Sequence, residues 1–272
     1  MPDSPIVPEL PLLGQSVDRL KTDYRQAQPW PHVVLQDAWP AEILDAVAAE
    51  CAAMGEAHLV RSDVGQQVKQ EAWSGFGPAT AAFLSHLQSK PIVDLVSAVT
   101  GVGGLIPDPT HRFAGVHRTP RGGLTKIHRD FHTHPETGLF HRVNLLVYLN
   151  RDWPDAYGGS LELWPSDMSA IGRRVFPRFN TTIIWETHDA TLHGLPDPVA
   201  CPQDRMRLSV AAYYYTKEGR GEGQDAVRYW FSRPGEGRWI EAMTWQDRLR
   251  NAIPKGVRSA VRSLRDRVKP KA

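Results

Sequence analysis

The sequence predicts a mainly β domain, built as a sandwich or barrel, with helices flanking it at both ends. Three observations carry this. From about residue 111 to residue 216 the chain runs as short β-forming stretches punctuated by glycine, proline and aspartate. No helical pattern intervenes between those stretches, which argues against a βαβ sheet. Helical spacing of apolar residues is confined to the first third and to the C-terminal end.

Taken in order, His32-Val33-Val34-Leu35 is a short strand. Pro40 to Met54 is a helix, with Ile43, Leu44, Val47 and Ala48 at helical spacing and Gly55 as its stop. Pro78 to Gln88 and Pro91 to Thr100 are two more helices. Each opens on a proline, whose fixed φ and missing N–H suit a first helical turn, and Gly101 ends the second. The polar stretch Arg61 to Trp73 reads as a surface loop, with a lid over the barrel as the alternative.

The β region then supplies Phe113 to Arg118, Leu124 to Arg129, Arg142 to Asn150, Ser160 to Trp164, Thr181 to Trp185 and Arg207 to Thr216. Side chains alternate along a strand. Val143, Leu145, Val147 and Leu149 therefore share an aliphatic face, and Arg142, Asn144, Leu146 and Tyr148 share a mixed polar one. That pairing describes a barrel wall around a polar pocket. Arg207 and Ser209 likewise project together.

Thr244 to Ile253 returns to helix, opening on a threonine with Asp247 three residues later. Pro254 to Ala272 holds seven Lys or Arg and one Asp beside a stripe of Val257, Val261, Leu264 and Val268. We read it as an amphipathic helix docked on the domain, with weak contact to an anionic surface as the alternative. The organisation expected is one domain: residues 1–110 a helical wrap with the first strand or strands, 111–235 the β core, and 236–272 C-terminal helices ending in a basic tail.

Composition narrows the function. The 272 residues are 41% hydrophobic and 23% charged, ordinary values for a globular protein. With 32 basic and 30 acidic side chains the net charge is +2, which makes no bulk case for nucleic acid. No apolar stretch approaches the ~20 residues of a membrane helix. Two distant cysteines, Cys51 and Cys201, and no secretory leader suggest reduced thiols in a cytoplasmic protein.

Eleven histidines are present, five of them between residues 117 and 141. His117, His132 and His141 lack a convincing partner set. His128 and Asp130 differ, because residues i and i+2 of a strand face the same way and both can meet one ion. A third ligand must come from another strand. His193, followed by Gly194, is the stronger choice, with His188 as the alternative. Two imidazoles and a carboxylate occupy one face of a ferrous ion and leave the remaining positions open. Arg207 adds a guanidinium fork suited to a carboxylate.

Rival readings fare worse. The kinase reading of His128-Arg129-Asp130 needs an asparagine where Pro135 stands. His132-x-His134 with Glu136 has its glutamate too close for a cupin-type site. Zinc hydrolysis would leave Arg207 without a purpose.

The run Gly122-Gly123-Leu124-Thr125-Lys126-Ile127-His128-Arg129-Asp130-Phe131, then Asn144 to Asn150, Trp153, Gly158-Gly159-Ser160-Leu161-Glu162-Leu163, His193-Gly194 and Arg207-Leu208-Ser209, resembles the iron(II)- and 2-oxoglutarate-dependent oxygenases, in their prolyl-4-hydroxylase-like branch. The resemblance spans about residues 110 to 216. It implies a double-stranded β-helix, or jelly-roll, core. It implies metal ligands His128, Asp130 and His193, and co-substrate contacts from Arg207, Tyr148 and Ser209. Fe(II), 2-oxoglutarate and dioxygen would be the cofactors, and the reaction would hydroxylate an unactivated C–H bond while 2-oxoglutarate decarboxylates to succinate and carbon dioxide. Arg129, Arg142 and Asn144 are candidate substrate contacts, with bracing of the barrel as the competing role. A peptide or protein prolyl substrate is expected first. A free amino acid, glycan or natural-product intermediate is the alternative, and a non-catalytic β-barrel metal-binding module is the reading from a different class.

Overall fold

A computed structural model of the chain describes residues 16–55, 60–63, 67–108, 110–219 and 228–236. The helices α1 (Val17–Gln26), α2 (Ala41–Ala53), α3 (Pro78–Leu87) and α4 (Lys90–Thr100) alternate with the first strands, β1 (His32–Gln36), β2 (Val60–Asp63) and β3 (Gln67–Ala72). From there the described chain is β: β4 (Ile106–Pro107), β5 (Gly115–Pro120), β6 (Leu124–Arg129), β7 (Phe140–Tyr148), β8 (Leu161–Trp164), β9 (Arg173–Val175), β10 (Thr181–Glu186), β11 (Leu192–Leu195), β12 (Met206–Thr216) and β13 (Tyr229–Phe231).

The strands pair in the order β1-β10-β7-β12-β5-β3-β6-β11-β8-β9, all antiparallel along that path. The sheet curls into a nearly closed jelly-roll, the double-stranded β-helix expected. β6 is the seam: β11 lies on one edge, while β3 and β13 lie end to end along the other.

The alternation read from β7 decides how the wall faces. Val143, Leu145 and Val147 are fully buried and join Leu208, Val210, Ala212 and Tyr214 of β12 in one core with Leu44, Val47, Leu84, Leu87, Ile92 and Val96 of the helices. The aliphatic face is thus turned outward, and the helices cover it. Each such side chain contributes roughly 1.5–3 kcal/mol by leaving water. The opposite faces line the interior, where Leu146, Tyr148, Ala211 and Tyr213 meet Trp30, Phe131, Leu161 and Trp185.

Several elements differ from expectation. The polar stretch 61–73 is no surface loop: β3 pairs with β5 and β6 in the barrel wall. Polar Val17–Gln26 is helical and buries only Leu20 and Tyr24, four residues apart on one face. β5 starts two residues later than expected, since Phe113 has φ 67° and cannot be strand. The expected helix at 244–253 and the basic tail lie outside the described residues. Among those described, no helix is long and apolar enough to cross a membrane.

Candidate metal centre

β6 and β11 are antiparallel neighbours, with His193 directly opposite His128. Opposed residues share a face, so the two rings meet inside the barrel, 4.5 Å between centroids. Asp130 follows His128 by two and joins them. Its Oδ1 lies 3.5 Å from His128 Nε2 and its Oδ2 lies 3.6 Å from His193 Nε2. One ligand atom from each residue falls within 4.8 Å of the others, and all three residues are buried. Gly194 permits this approach: a Cβ there would stand 2.6 Å from the Lys126 carbonyl oxygen. His188 sits in the preceding turn, where its Nδ1 accepts from the Ala190 N–H, and stays outside the group.

The tautomers suit a metal. His128 Nδ1 lies 2.8 Å from the Lys126 carbonyl, and His193 Nδ1 lies 2.9 Å from that of Thr191. A carbonyl only accepts, so each Nδ1 carries the proton and each Nε2 lone pair points inward. Burial, reinforced by Arg228, pushes His128 down to about 3, and burial likewise lowers His193. Burial opposes the Asp130 charge, but the neighbouring His193 and His128 rings and the Arg228 guanidinium outweigh it and hold the carboxyl well below its usual range. Two neutral imidazoles and one carboxylate are the donor set a ferrous ion takes. Asn144 Nδ2 donates to Asp130 Oδ2 at 2.8 Å, and His141 Nε2 donates to Asn144 Oδ1 at 2.7 Å.

Arg207 enters the same cavity from β12. It is 6% exposed, yet no carboxylate among the described residues lies against it. Its Nε donates to the Gly159 carbonyl at 2.7 Å and its Nη2 to Tyr148 Oη at 3.1 Å. Gly159 has φ 79°, and a Cβ there would stand 3.1 Å from Arg207 Cδ, so the turn before β8 fits only against glycine. Ser209 Oγ is buried without a hydrogen-bond partner. A buried guanidinium and an orphaned hydroxyl side by side form a cradle for an organic anion.

The remaining sequence candidates separate. Asn144 touches Asp130. Arg142 pairs with Glu186 at 2.8 Å and donates to Thr216 Oγ1, bracing the barrel end. Arg129 stands on the opposite face from the ligands, paired with Asp189 at 3.2 Å and stacked on Tyr229, so it does not reach the cavity. Of the other histidines, His141 is packed between Phe131 and Tyr215, and His132 pairs with Asp189.

Sequence reasoning missed three contributors. Lys69 lines the cavity from β3 and is paired with Glu71, which lies 3.7 Å from buried His117. Arg228 reaches Asp130 from the start of β13, and Trp230 lies over His128. For β3 the available signal was alternation in Gln67-Val68-Lys69-Gln70-Glu71-Ala72, with Lys69 and Glu71 inward.

Comparison with known proteins agrees with this geometry. Residues 114–215 match the family model described as the 2OG-Fe(II) oxygenase superfamily. A prolyl-4-hydroxylase from Pseudomonas putida superposes with a TM-score of 0.55 at 17% identity, covering 75% of this chain and 100% of that one. A prolyl hydroxylase from Trichoplax adhaerens, solved with a hypoxia inducible factor oxygen degradation domain peptide fragment, gives 0.55 at 17% identity over 76% and 94%. A Burkholderia pseudomallei oxidoreductase of the 2OG-Fe(II) oxygenase family gives 0.52 at 16% over 78% and 95%. At such identities these structures show a shared fold. No curated protein matches the chain significantly. The matched segment contains the two facing histidines, the aspartate and the anion cradle, so residues 114–215 are similar to the 2OG-Fe(II) oxygenase superfamily and carry a donor set and pocket that fit ferrous iron, 2-oxoglutarate and dioxygen as cofactors.

Proposed function

We propose that the protein hydroxylates an unactivated C–H bond, 2-oxoglutarate being decarboxylated to succinate and carbon dioxide, with His128, Asp130 and His193 holding the iron. The metal and 2-oxoglutarate together supply the oxidising power. The chain's own residues bind, orient and exclude water. Arg207 receives the far carboxylate of 2-oxoglutarate, with Ser209 Oγ and Tyr148 Oη as its neighbours. Burial raises Tyr148 above its ordinary range, against the pull of Arg207, so the phenol keeps its proton and serves as a donor. Trp185, Leu146 and Leu161 give the cavity apolar walls that keep water from the reacting centre.

The single observation carrying this reading is the pair of inward Nε2 lone pairs, each fixed by an Nδ1–carbonyl bond, converging on one carboxylate. A prolyl residue in a peptide is the substrate best supported, because the fold matches prolyl hydroxylases along nearly their whole length. The same chemistry on a small molecule is favoured by β13, which roofs the ligands with Trp230.

The test is succinate formation from 2-oxoglutarate under Fe(II). His128→Ala abolishes iron binding and turnover. Arg207→Ala raises the KM for 2-oxoglutarate by about tenfold or more, the loss of a charged hydrogen-bond pair. Retained activity in His128→Ala together with an unaltered KM in Arg207→Ala refutes the assignment.

A further inference from the structure

β13 supplies no metal ligand, yet it is laid directly along β6. Its register sets Tyr229 opposite Arg129 and Trp230 opposite His128. Opposed residues of an antiparallel pair share a face. Trp230 accordingly meets His128 inside, 5.1 Å between ring centroids, while Arg129 stacks on Tyr229 outside. Arg228, two residues before Trp230, projects inward too. Its Nη2 stands 3.5 Å from Asp130 Oδ1, and its Nη1 donates to Gln67 Oε1 at 3.2 Å. Its Nε is buried without a partner.

The charges around this cavity do not close on themselves. The charged side chains lining it, besides histidine, are Lys69, Asp130, Arg207 and Arg228. Lys69 is matched by Glu71. Under the function proposed above, Arg207 is matched by the far carboxylate of 2-oxoglutarate and Asp130 by iron. The second charge of the co-substrate and the second charge of the ion then cancel each other. Arg228 remains a largely buried cation with only an amide oxygen to itself. Leaving it so is costly, and its fork is shaped for a carboxylate.

We infer that the substrate carries a carboxylate and that Arg228 receives it, placing the reacting carbon beside the metal ligands. The inference rests on the metal-centre reading above. A free amino or hydroxy acid and an acidic residue within a peptide present the same group to Arg228, and the test separates them.

The wild-type chain, Arg228→Gln and Arg228→Lys are loaded with Ni(II), which does not turn over, and saturated with 2-oxoglutarate. Thermal-melt titrations then compare each common L-amino acid with its amide. They also compare N-acetylated, C-amidated prolyl peptides carrying glutamate or glutamine beside the proline. Succinate formation with Fe(II) repeats the comparison under turnover. In the wild type, at least one acid is expected to bind about tenfold or more tighter than its amide. That preference falls to about unity in Arg228→Gln and partly returns in Arg228→Lys. Preference among the free acids assigns a small molecule, and preference among the peptides assigns an acidic peptide. Equal binding of acids and amides by the wild type, absence of binding by any acid, or a preference that survives in Arg228→Gln overturns the proposal. Failure of Ni(II) and 2-oxoglutarate themselves to stabilise the wild type sinks the metal-centre reading instead.

Discussion

Asn144 offers the sharpest test of how the ligand set is held. Its amide spans two buried groups, donating to Asp130 Oδ2 at 2.8 Å and accepting from His141 Nε2 at 2.7 Å. Asn144→Ala removes both bonds. A hydrogen bond to an ionised carboxylate is worth about 1.5–3 kcal/mol. Part of that value appears in the metal-free protein as well, because Asp130 keeps Arg228 within 3.5 Å. The part that bears on metal binding is the loss of orientation: a freed carboxylate samples rotamers in which neither oxygen faces the Nε2 pair. Partners of this kind change metal affinity by about 10–100-fold. The expectation is therefore a Kd for Fe(II), or for Co(II) as a spectroscopic substitute, weakened by about that factor in anaerobic titration. The metal-free variant should also lose stability by about 1–3 kcal/mol in denaturant unfolding, since His141 is left with both ring nitrogens unpartnered. A metal affinity within twofold of wild type, in a variant whose circular dichroism is unaltered, would refute the reasoning that Asn144 orients the carboxylate.

Two further outcomes follow from buried titratable groups. His32 donates from Nδ1 to the Trp30 carbonyl and accepts from Arg173 at Nε2, so it is held neutral; burial, with Arg173, lowers it from 6.5 to about 4. A folded-state value below the unfolded one means that the unfolded chain binds the extra proton, so this stability is present above pH 6.5 and is lost as pH falls toward 4. At pH 5 the loss from this one group is about 2 kcal/mol, and urea unfolding at pH 7 and pH 5 should show a shallower pH dependence in His32→Gln by that amount. Burial pushes the Cys51 thiol up to about 12, with Cys201 raised as well, and both are buried. Neither should react with a thiol reagent at pH 8 in the native protein, and both should react on denaturation; rapid native labelling of Cys51 would contradict its packing beneath α3.

The parts of this site legible in the sequence are those whose neighbours lie two or four residues away on one strand. His128 and Asp130, Arg207 and Ser209, and Asn144 with Tyr148 each share a face by alternation alone, and the structure sets five of them on the cavity, with Tyr148 bonded to Arg207 beside it. The partner strand of a ligand is harder, because register across β6 and β11 is decided by the fold and not by either segment; Gly194 was the single local sign of the close approach. β3 and β13 were illegible for a different reason. Strand signals presume an apolar inward face, but β3 turns Lys69 and Glu71 inward and leaves Ala72 to the helix-side core. The inversion is stable because the charges satisfy each other within the barrel. β13 is only three residues long and owes its position to pairing with β6, a partner about a hundred positions away. β3 thus looks like a loop for the same reason that it matters: its inward residues are spent on the cavity's electrostatics, so the apolar alternation that announces a strand is missing where the strand contributes to the site.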